Sequence, residues 1–506
     1  MSEIVYVIEI TAAIDDAGTT ATLLLTDGEG WTTKPGDTPA NTHVMPRVTQ
    51  VANFRRDLFT RGAIGGVVES AYGEAVFANA DGALDAWANY GFDGRKFIVR
   101  VGPAKSAYPS GFATVLTATM STALFDWAEI KIRLRDRLEL LKKPLCRNSF
   151  AGTGALEGPS ALAGTRRPKG FGYLYNISPV LVDGSALIYQ VNDGAINMST
   201  NGRVRDKGAL LTNAGPVADQ SGLLAASPAA GTFVYWPAGG YIKLGSEPEG
   251  EVTVDAYATT PEGNYGAGAM LKNLAVCAGI SASDINSSDV SGLTSSALAV
   301  WEKDESKTVL DQMAAVANSA CVWFGFDRSD QLRMGPIAIG TPVATLTIHD
   351  LVSISRKPLN DDTAGIPVWR VTSSHTRNRT AQTSFAVGVS AANQAAYGRQ
   401  YSKAEASNAA VKVKHLDAKE LATETLFSDP SGSGNNASAV LAQYAPGREI
   451  LEVVAKLTQG LMTAVDIGET LSITLPRYSY ASGKSFLIIG IRTDYRRGVA
   501  ELTLWG

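Results

Sequence analysis

The chain has 506 residues, more than the roughly 250–300 beyond which a single core stops growing, so several domains are expected. Hydrophobic residues make up 45% and charged residues only 19%, which suits ordinary cores but leaves a surface poor in charge, part of it expected to be covered by partners. The 45 Lys and Arg against 49 Asp and Glu give a net charge of −4, which excludes a dedicated DNA-binding protein built on a broad basic face.

The first residues, MSEIVYVIEITAAIDDAG, alternate like a strand and place Glu3 and Glu9 where an export signal needs basic residues. Neither an export signal nor a membrane span of about 18 apolar residues is expected. The 50 glycines, with many Asn, Asp, Ser and Thr, punctuate short apolar runs of period two. FIVRVG (97–102), ALIYQV (186–191), YIKLG (241–245) and EVTVDAY (251–257) are such runs, and they predict a mainly β chain of sandwiches or small barrels. The helical exception is SKTVLDQMAAVANSA, Ser306–Ala320, where Val309, Leu310, Met313, Val316 and Ala317 recur on one core-facing side behind a Ser306 cap. A shorter helix near Ala269–Gly279 precedes it, and a hairpin, Cys321–Gly335, follows with its turn at Asp327-Arg328-Ser329-Asp330. At the C-terminus LEVVAKL (451–457), ETLSITLP, KSFLIIGIRTDY and VAELTLWG predict a small barrel, the last two joined at Arg496-Arg497-Gly498. The fold class is therefore mainly β with a small α+β module, in several domains. A β-rich domain is expected at 1–150, a second at 151–262, the α+β module at 263–345 and a barrel-like domain at 346–506. The last carries a flexible or helical insertion at about 390–450, where SDPSGSGNNAS is flexible by composition.

Motifs that carry chemistry are scarce. Cys146, Cys277 and Cys321 are odd in number and far apart, so neither a CxxC pair nor a disulfide framework is expected. His43, His349, His375 and His415 make no metal-ligand spacing. Gly483-Lys484-Ser485 has Tyr478 where a phosphate-binding loop needs its first glycine, and reads as a hairpin turn with an exposed lysine. Around Gly82, Asn79, Asp81 and Asp85 fail the calcium-loop frame and read as a turn before a short helix. Glu302, Asp304 and Glu305, or Asp361 and Asp362, are carboxylates whose pairing a sequence does not define; Asp304 and Glu305 are expected to complement the following helix N-terminus. No GxSxG elbow selects a nucleophile. GTRRPKGFGYLYNISP, Gly164–Pro179, mixes Arg166, Arg167 and Lys169 with Phe171, Tyr173 and Tyr175. It reads as a solvated basic turn followed by one aromatic strand face, rather than a nucleic-acid or glycan platform. No catalytic, cofactor or metal site is expected.

Read as a whole, RRPKGFGYLYNISPVLVDGSALIYQVNDGAI, Arg166–Ile196, resembles a signature of tail-tip proteins of phages and prophages with long non-contractile tails. The matching residues are Arg167, Pro168, Lys169, Asn176, Pro179, Val180, Leu181, Val182, Asp183, Tyr189, Gln190, Val191, Asp193 and Gly194. Ser70–Gly102, WRVTSSHTRNRTAQT from Trp369 and the stretch from Glu405 are similar to the same proteins, in the same order. The resemblance implies a structural, non-enzymatic baseplate hub in the virion tail tip, assembled in the bacterial host cytoplasm. Such a hub is a homotrimer that closes the tail tube. Its implied partners are the distal tail protein, the tape-measure C-terminus and tip or fibre proteins, with phage DNA passing through and no specific nucleic-acid or lipid binding. A distal tail ring or other tip component, a tail-associated cell-wall hydrolase and a glycan-binding module stand as alternatives.

Overall fold

The computed structural model describes residues 4–58, 65–258, 265–357, 367–429, 434–495 and 497–506. Among these, strands gather in six sheets and short helices cover them, the mainly β architecture that the period-two runs predict. A nine-stranded sheet holds the N-terminal residues. Its centre is the antiparallel run Thr20–Thr26, Ile4–Ala13, Lys96–Pro103, Ala113–Phe125, Glu129–Arg135 and Glu74–Ala78. Successive side chains of a strand point to opposite faces, so Ile4–Ala13 serves two cores. Val5 and Val7 pack with Tyr108 and Phe112, while Ile8, Ile10 and Ala12 enter the main core.

In the middle of the chain Lys169–Ile177 lies between Val252–Ala258 and Val300–Glu302. Beside it Val180–Asp183, Ile188–Gln190 and Tyr241–Leu244 belong to a five-stranded sheet. The α+β module follows. Helices Ala267–Ala278 and Val309–Ala320 share one core with the hairpin Val322–Phe326 and Leu332–Pro336. Val309, Met313, Val316 and Ala317 are buried there, and Leu310 packs partly buried at the rim. The cap is Thr308 rather than Ser306: the Thr308 hydroxyl accepts from Asp311 N–H while the Asp311 carboxylate accepts from Thr308 N–H. That reciprocal pair satisfies two otherwise orphaned donors, which Ser306, bonded through its N–H to Asp304, does not.

The predicted C-terminal strands Ile450–Lys456, Thr470–Thr474, Lys484–Asp494 and Val499–Trp505 lie in one eight-stranded sheet. Two N-terminal segments cross into these later parts. Phe54–Asp57 pairs with Lys484–Asp494, and Gly66–Val67 pairs in parallel with Val322–Phe326. Gly65 precedes the second crossing where a Cβ would stand 2.3 Å from Ala317 O, so only glycine lets the segment pass the end of that helix. The stretch 390–450 is more ordered than its composition suggests. Helices Ala391–Gly398, Ala409–Lys414 and Ala437–Tyr444 alternate with strands Ser402–Ser407 and Lys419–Glu424, which flank Val368–His375. Its half-buried positions are filled by residues such as Ala404 and Ala406, against exposed Lys403 and Glu405, and alanine leaves little apolar contrast for a period to be seen. Residues 430–433 of SDPSGSGNNAS, Arg496 of the last turn, and Asp361 and Asp362 lie outside the described residues.

Candidate functional site

The RPK signature folds inward. Arg167 is only 9% exposed; its guanidinium lies 4.5 Å over the Phe150 ring, donates to Tyr241 OH at 2.8 Å and pairs with Glu157 at 2.6 Å. Gln190, buried beside it, accepts a longer bond. Pro168 O accepts from Asp193 N, and Lys169 Nζ donates to Asp193 O at 2.6 Å. Arg166 pairs with Glu305 at 2.7 Å. Apart from the Arg166–Glu305 pair, which stays at the surface, the expected solvated turn is a set of internal tethers, because desolvated guanidinium and ammonium groups are held by π faces, carboxylates and carbonyls. Phe171 and Tyr173 are buried, and Tyr175 is half-buried. Gly172 has φ +83 and would put a Cβ 2.2 Å from Leu298 O, which makes the GFG spacing a packing requirement.

Farther along, Asn176 takes the left-handed region (φ 47) at a register shift and is fully buried, a conformation asparagine tolerates better than most residues. Its N–H donates to Asp255 Oδ1 at 2.7 Å, and its amide donates to Asn378 Oδ1 at 2.8 Å and Thr380 O at 2.9 Å. Asp255 is also clasped by both terminal nitrogens of Arg205, itself 4.5 Å over the Tyr397 ring. Pro179 is buried at the turn into Val180–Asp183. The Asp183 carboxylate caps that hairpin through Ser185 and Ala186 N–H. Tyr189 is buried in the strand Ile188–Gln190, and Gly194 sits against Lys169 Nζ. The signature residues therefore act as a structural lock.

Other residues that chemistry suggested find structural partners as well. Asn79 bonds Leu84 N–H and Asp85, and Asp81 takes a two-pronged bond from Arg47, so this is a turn. Lys484 is not a free hairpin lysine: it pairs with Glu449 at 2.9 Å. Asp304 bonds Ser306 N–H and Glu305 pairs with Arg166, so neither complements the helix N-terminus as expected. The three cysteines are free thiols, and burial pushes Cys146 up to about 11 and Cys321 up to about 12. Among the described residues no group of three His, Cys, Asp or Glu side chains is placed to hold a metal ion, and no helix is long and apolar enough to cross a membrane.

Two joints hold the sheets together. In a cleft of about 470 Å³ between the nine-stranded sheet and the α+β module, Arg137 bridges Asp284 at 2.7 Å and Asp330 at 3.0 Å. At the other, Arg56 is 1% exposed and bonds both oxygens of Asp466, which Arg328 also approaches at 3.3 Å. Burial raises the Asp466 carboxyl, but the two guanidinium groups outweigh it and hold it below the usual carboxylate range.

Some large apolar side chains stand outward. The hairpin of Ala113–Phe125 and Glu129–Arg135 ends in Trp127, 91% exposed, with Leu124 and Phe125 exposed beside it. On the outer strands of the eight-stranded sheet Val343 and Val352 are exposed as well, as is Ile348 in the turn between those strands. Sequence reading passed over these side chains, since an apolar hairpin looks the same whether its tip is covered or bare. Bare apolar side chains of this size are surface suited to association.

The fold thus defines a multi-sheet β protein with an inward-turned polar signature and outward apolar tips. In structure it is similar to a tail protein from Neisseria meningitidis MC58, with 10% identity over 99% of this chain and 96% of that one and a TM-score of 0.40. It is similar to a tail protein of prophage MuSo2 from Shewanella oneidensis, with 10% identity, 100% and 96% coverage and a TM-score of 0.40. A chain in the virion of a native gene transfer agent particle is also similar, with 13% identity, 68% and 84% coverage and a TM-score of 0.44. At these values the likeness transfers no residue role. No protein-family model and no curated protein matches the sequence.

Proposed function

We propose that this chain is a structural, non-enzymatic component of a phage tail tip, a baseplate hub acting as a homotrimer. It closes the tail tube and docks the distal tail, tape-measure and tip or fibre proteins during assembly and DNA delivery. The observation that carries the reading is the bare apolar hairpin tip of Leu124, Phe125 and Trp127, since a large exposed tryptophan among apolar neighbours is the composition of an interface core. The colinear resemblance of the RPK signature and its flanking stretches to tail-tip proteins supports the same role. The test is electron microscopy of purified tails carrying a tag between Asp16 and Ala17, in an exposed turn. Three copies at the distal end of the tube are expected. Six copies would make the chain a ring component, and absence from particles would sink the structural reading altogether.

A further inference from the structure

Two surface segments are bare, apolar and opposite in charge. The first is the tip of the hairpin Ala113–Phe125 and Glu129–Arg135, where Trp127 stands beside exposed Leu124, Phe125 and Asp126. Its shape is set within the fold. Asp126 N donates to Glu129 O at 2.9 Å, the Asp126 carboxylate accepts from Trp127 N at 2.7 Å, and Asn79 N donates to Ala128 O at 2.7 Å. Asp126 pairs with no cation among the described residues, while Lys131 approaches Glu129 at 3.6 Å. The second segment is the helix Ala409–Lys414 with the turn after it. Val411 is buried, Asn408 N donates to Trp369 O at 2.7 Å, and His415 N donates to Val411 O at 2.8 Å. With Val411 anchored inward, Val413 is left 82% and Leu416 83% exposed. Lys412 and Lys414 are exposed around them. Lys412 lies 4.6 Å over the Trp369 ring, and among the described residues neither lysine pairs with a carboxylate. Asp417 is the acid that follows Leu416.

We infer that the Trp127 tip of one copy docks on the Val413–Leu416 segment of a second copy of this chain, an inference that rests on the homotrimer reading above. Charge selects the occupant. Residues 124–129 carry Asp126 and Glu129 and no cation, whereas 409–418 carry Lys412 and Lys414 against Asp417, so apolar side chains meet with opposite charges at their rim. Tip against tip, or segment against segment, would bring like charges together. Because the two patches differ, the contact is heterologous, and such contacts close into rings when the rotation between copies allows it. Both patches are held in shape before they meet, which lowers the ordering cost, and tryptophan is among the residues in which interface energy concentrates.

Sedimentation velocity of the full chain across the micromolar range, at near-physiological salt, reads the contact. The wild type is expected to self-associate, and Trp127→Asp and Val413→Asp/Leu416→Asp are each expected to weaken that association about thirtyfold or more. Mixed in equal amounts, the two variants should form a dimer that grows no further, because the intact segment of one meets the intact tip of the other. If either variant melts below the wild type, Trp127→Ser and Val413→Ser/Leu416→Ser provide the comparison at intact fold. A monomeric wild type, wild-type association by either variant, or no dimer in the mixture would each overturn the inference. Electron microscopy of tails separates failure here from failure of the tail-tip role. Three copies at the tube end carrying Trp127→Asp would sink this contact alone, whereas self-association through these patches by a chain absent from particles would sink the tail-tip role alone.

Discussion

Two arginine-bearing motifs of this chain look alike as text and behave in opposite ways. In RRPK, Arg167 and Lys169 turn inward and find Glu157, Tyr241 and the Asp193 carbonyl, while Arg166 pairs with Glu305 at the surface. In HTRNRT only Arg379 turns inward, onto two carbonyls, while Arg377 remains exposed, 6.0 Å from the Tyr401 ring. The difference lies in what the fold delivers from far away. Tyr241 comes 74 positions after Arg167, and Glu305 comes 139 after Arg166. Among the described residues no carboxylate pairs with Arg377. Whether a basic motif is a tether or a surface is thus decided by tertiary partners.

The contrast can be broken most severely at its buried end. Asp255→Asn leaves Arg205, 3% exposed, without its carboxylate, and is expected to cost about 3–5 kcal/mol; an unchanged denaturant midpoint would mean this network contributes little. Asp466→Asn similarly strands Arg56 and is expected to cost about 3 kcal/mol. Asp466 also sharpens the contrast through pH. Its carboxyl sits below its ordinary 3.8 in the folded chain, so its contribution is complete above that value and is lost as pH falls through the lower folded one. Acid melting curves of wild type and Asp466→Asn should therefore converge at low pH, and parallel curves would contradict the assignment. Arg167→Ala removes a ring contact and bonds at a nearly buried site and is expected to lose about 2 kcal/mol, read from thermal unfolding. At the small end, Arg377→Gln/Arg399→Gln should move stability by less than about 0.5 kcal/mol; a larger drop would show these arginines to be tethers too.

Much of the fold is visible in the residue pattern because apolar and polar residues alternate with strong contrast. Ile8, Ile10 and Ala12, or Leu471 and Ile473, enter a core as period two requires. Val309, Met313 and Val316 do so as a helical period requires. The cap moved two residues, from Ser306 to Thr308, because both are capping types and only Asp311 three positions on distinguishes them. The stretch 390–450 hides the strand Ser402–Ser407 because Ser402, Ala404 and Ala406 fill its half-buried positions. The candidate surfaces were less legible. Trp127 reads as ordinary core material until the hairpin tip is seen to be bare, and RRPK reads as solvated until Phe150, Glu157 and Tyr241 arrive around it.

The crossing of Phe54–Asp57 into the C-terminal sheet carries a consequence for biosynthesis. Phe54 N–H bonds Thr493 Oγ1 across 439 positions, so on a ribosome adding about 5–20 residues per second this early strand waits roughly 20–90 s for its partner. Until then the edge that takes Lys484–Asp494 has no such partner, and Arg56 waits for Asp466. Loop closure over so long a span makes this pairing a late and slow event. A chain cut short anywhere before Lys484 lacks both the strand and the closure, so a finished sheet reports that synthesis has passed the strand Lys484–Asp494.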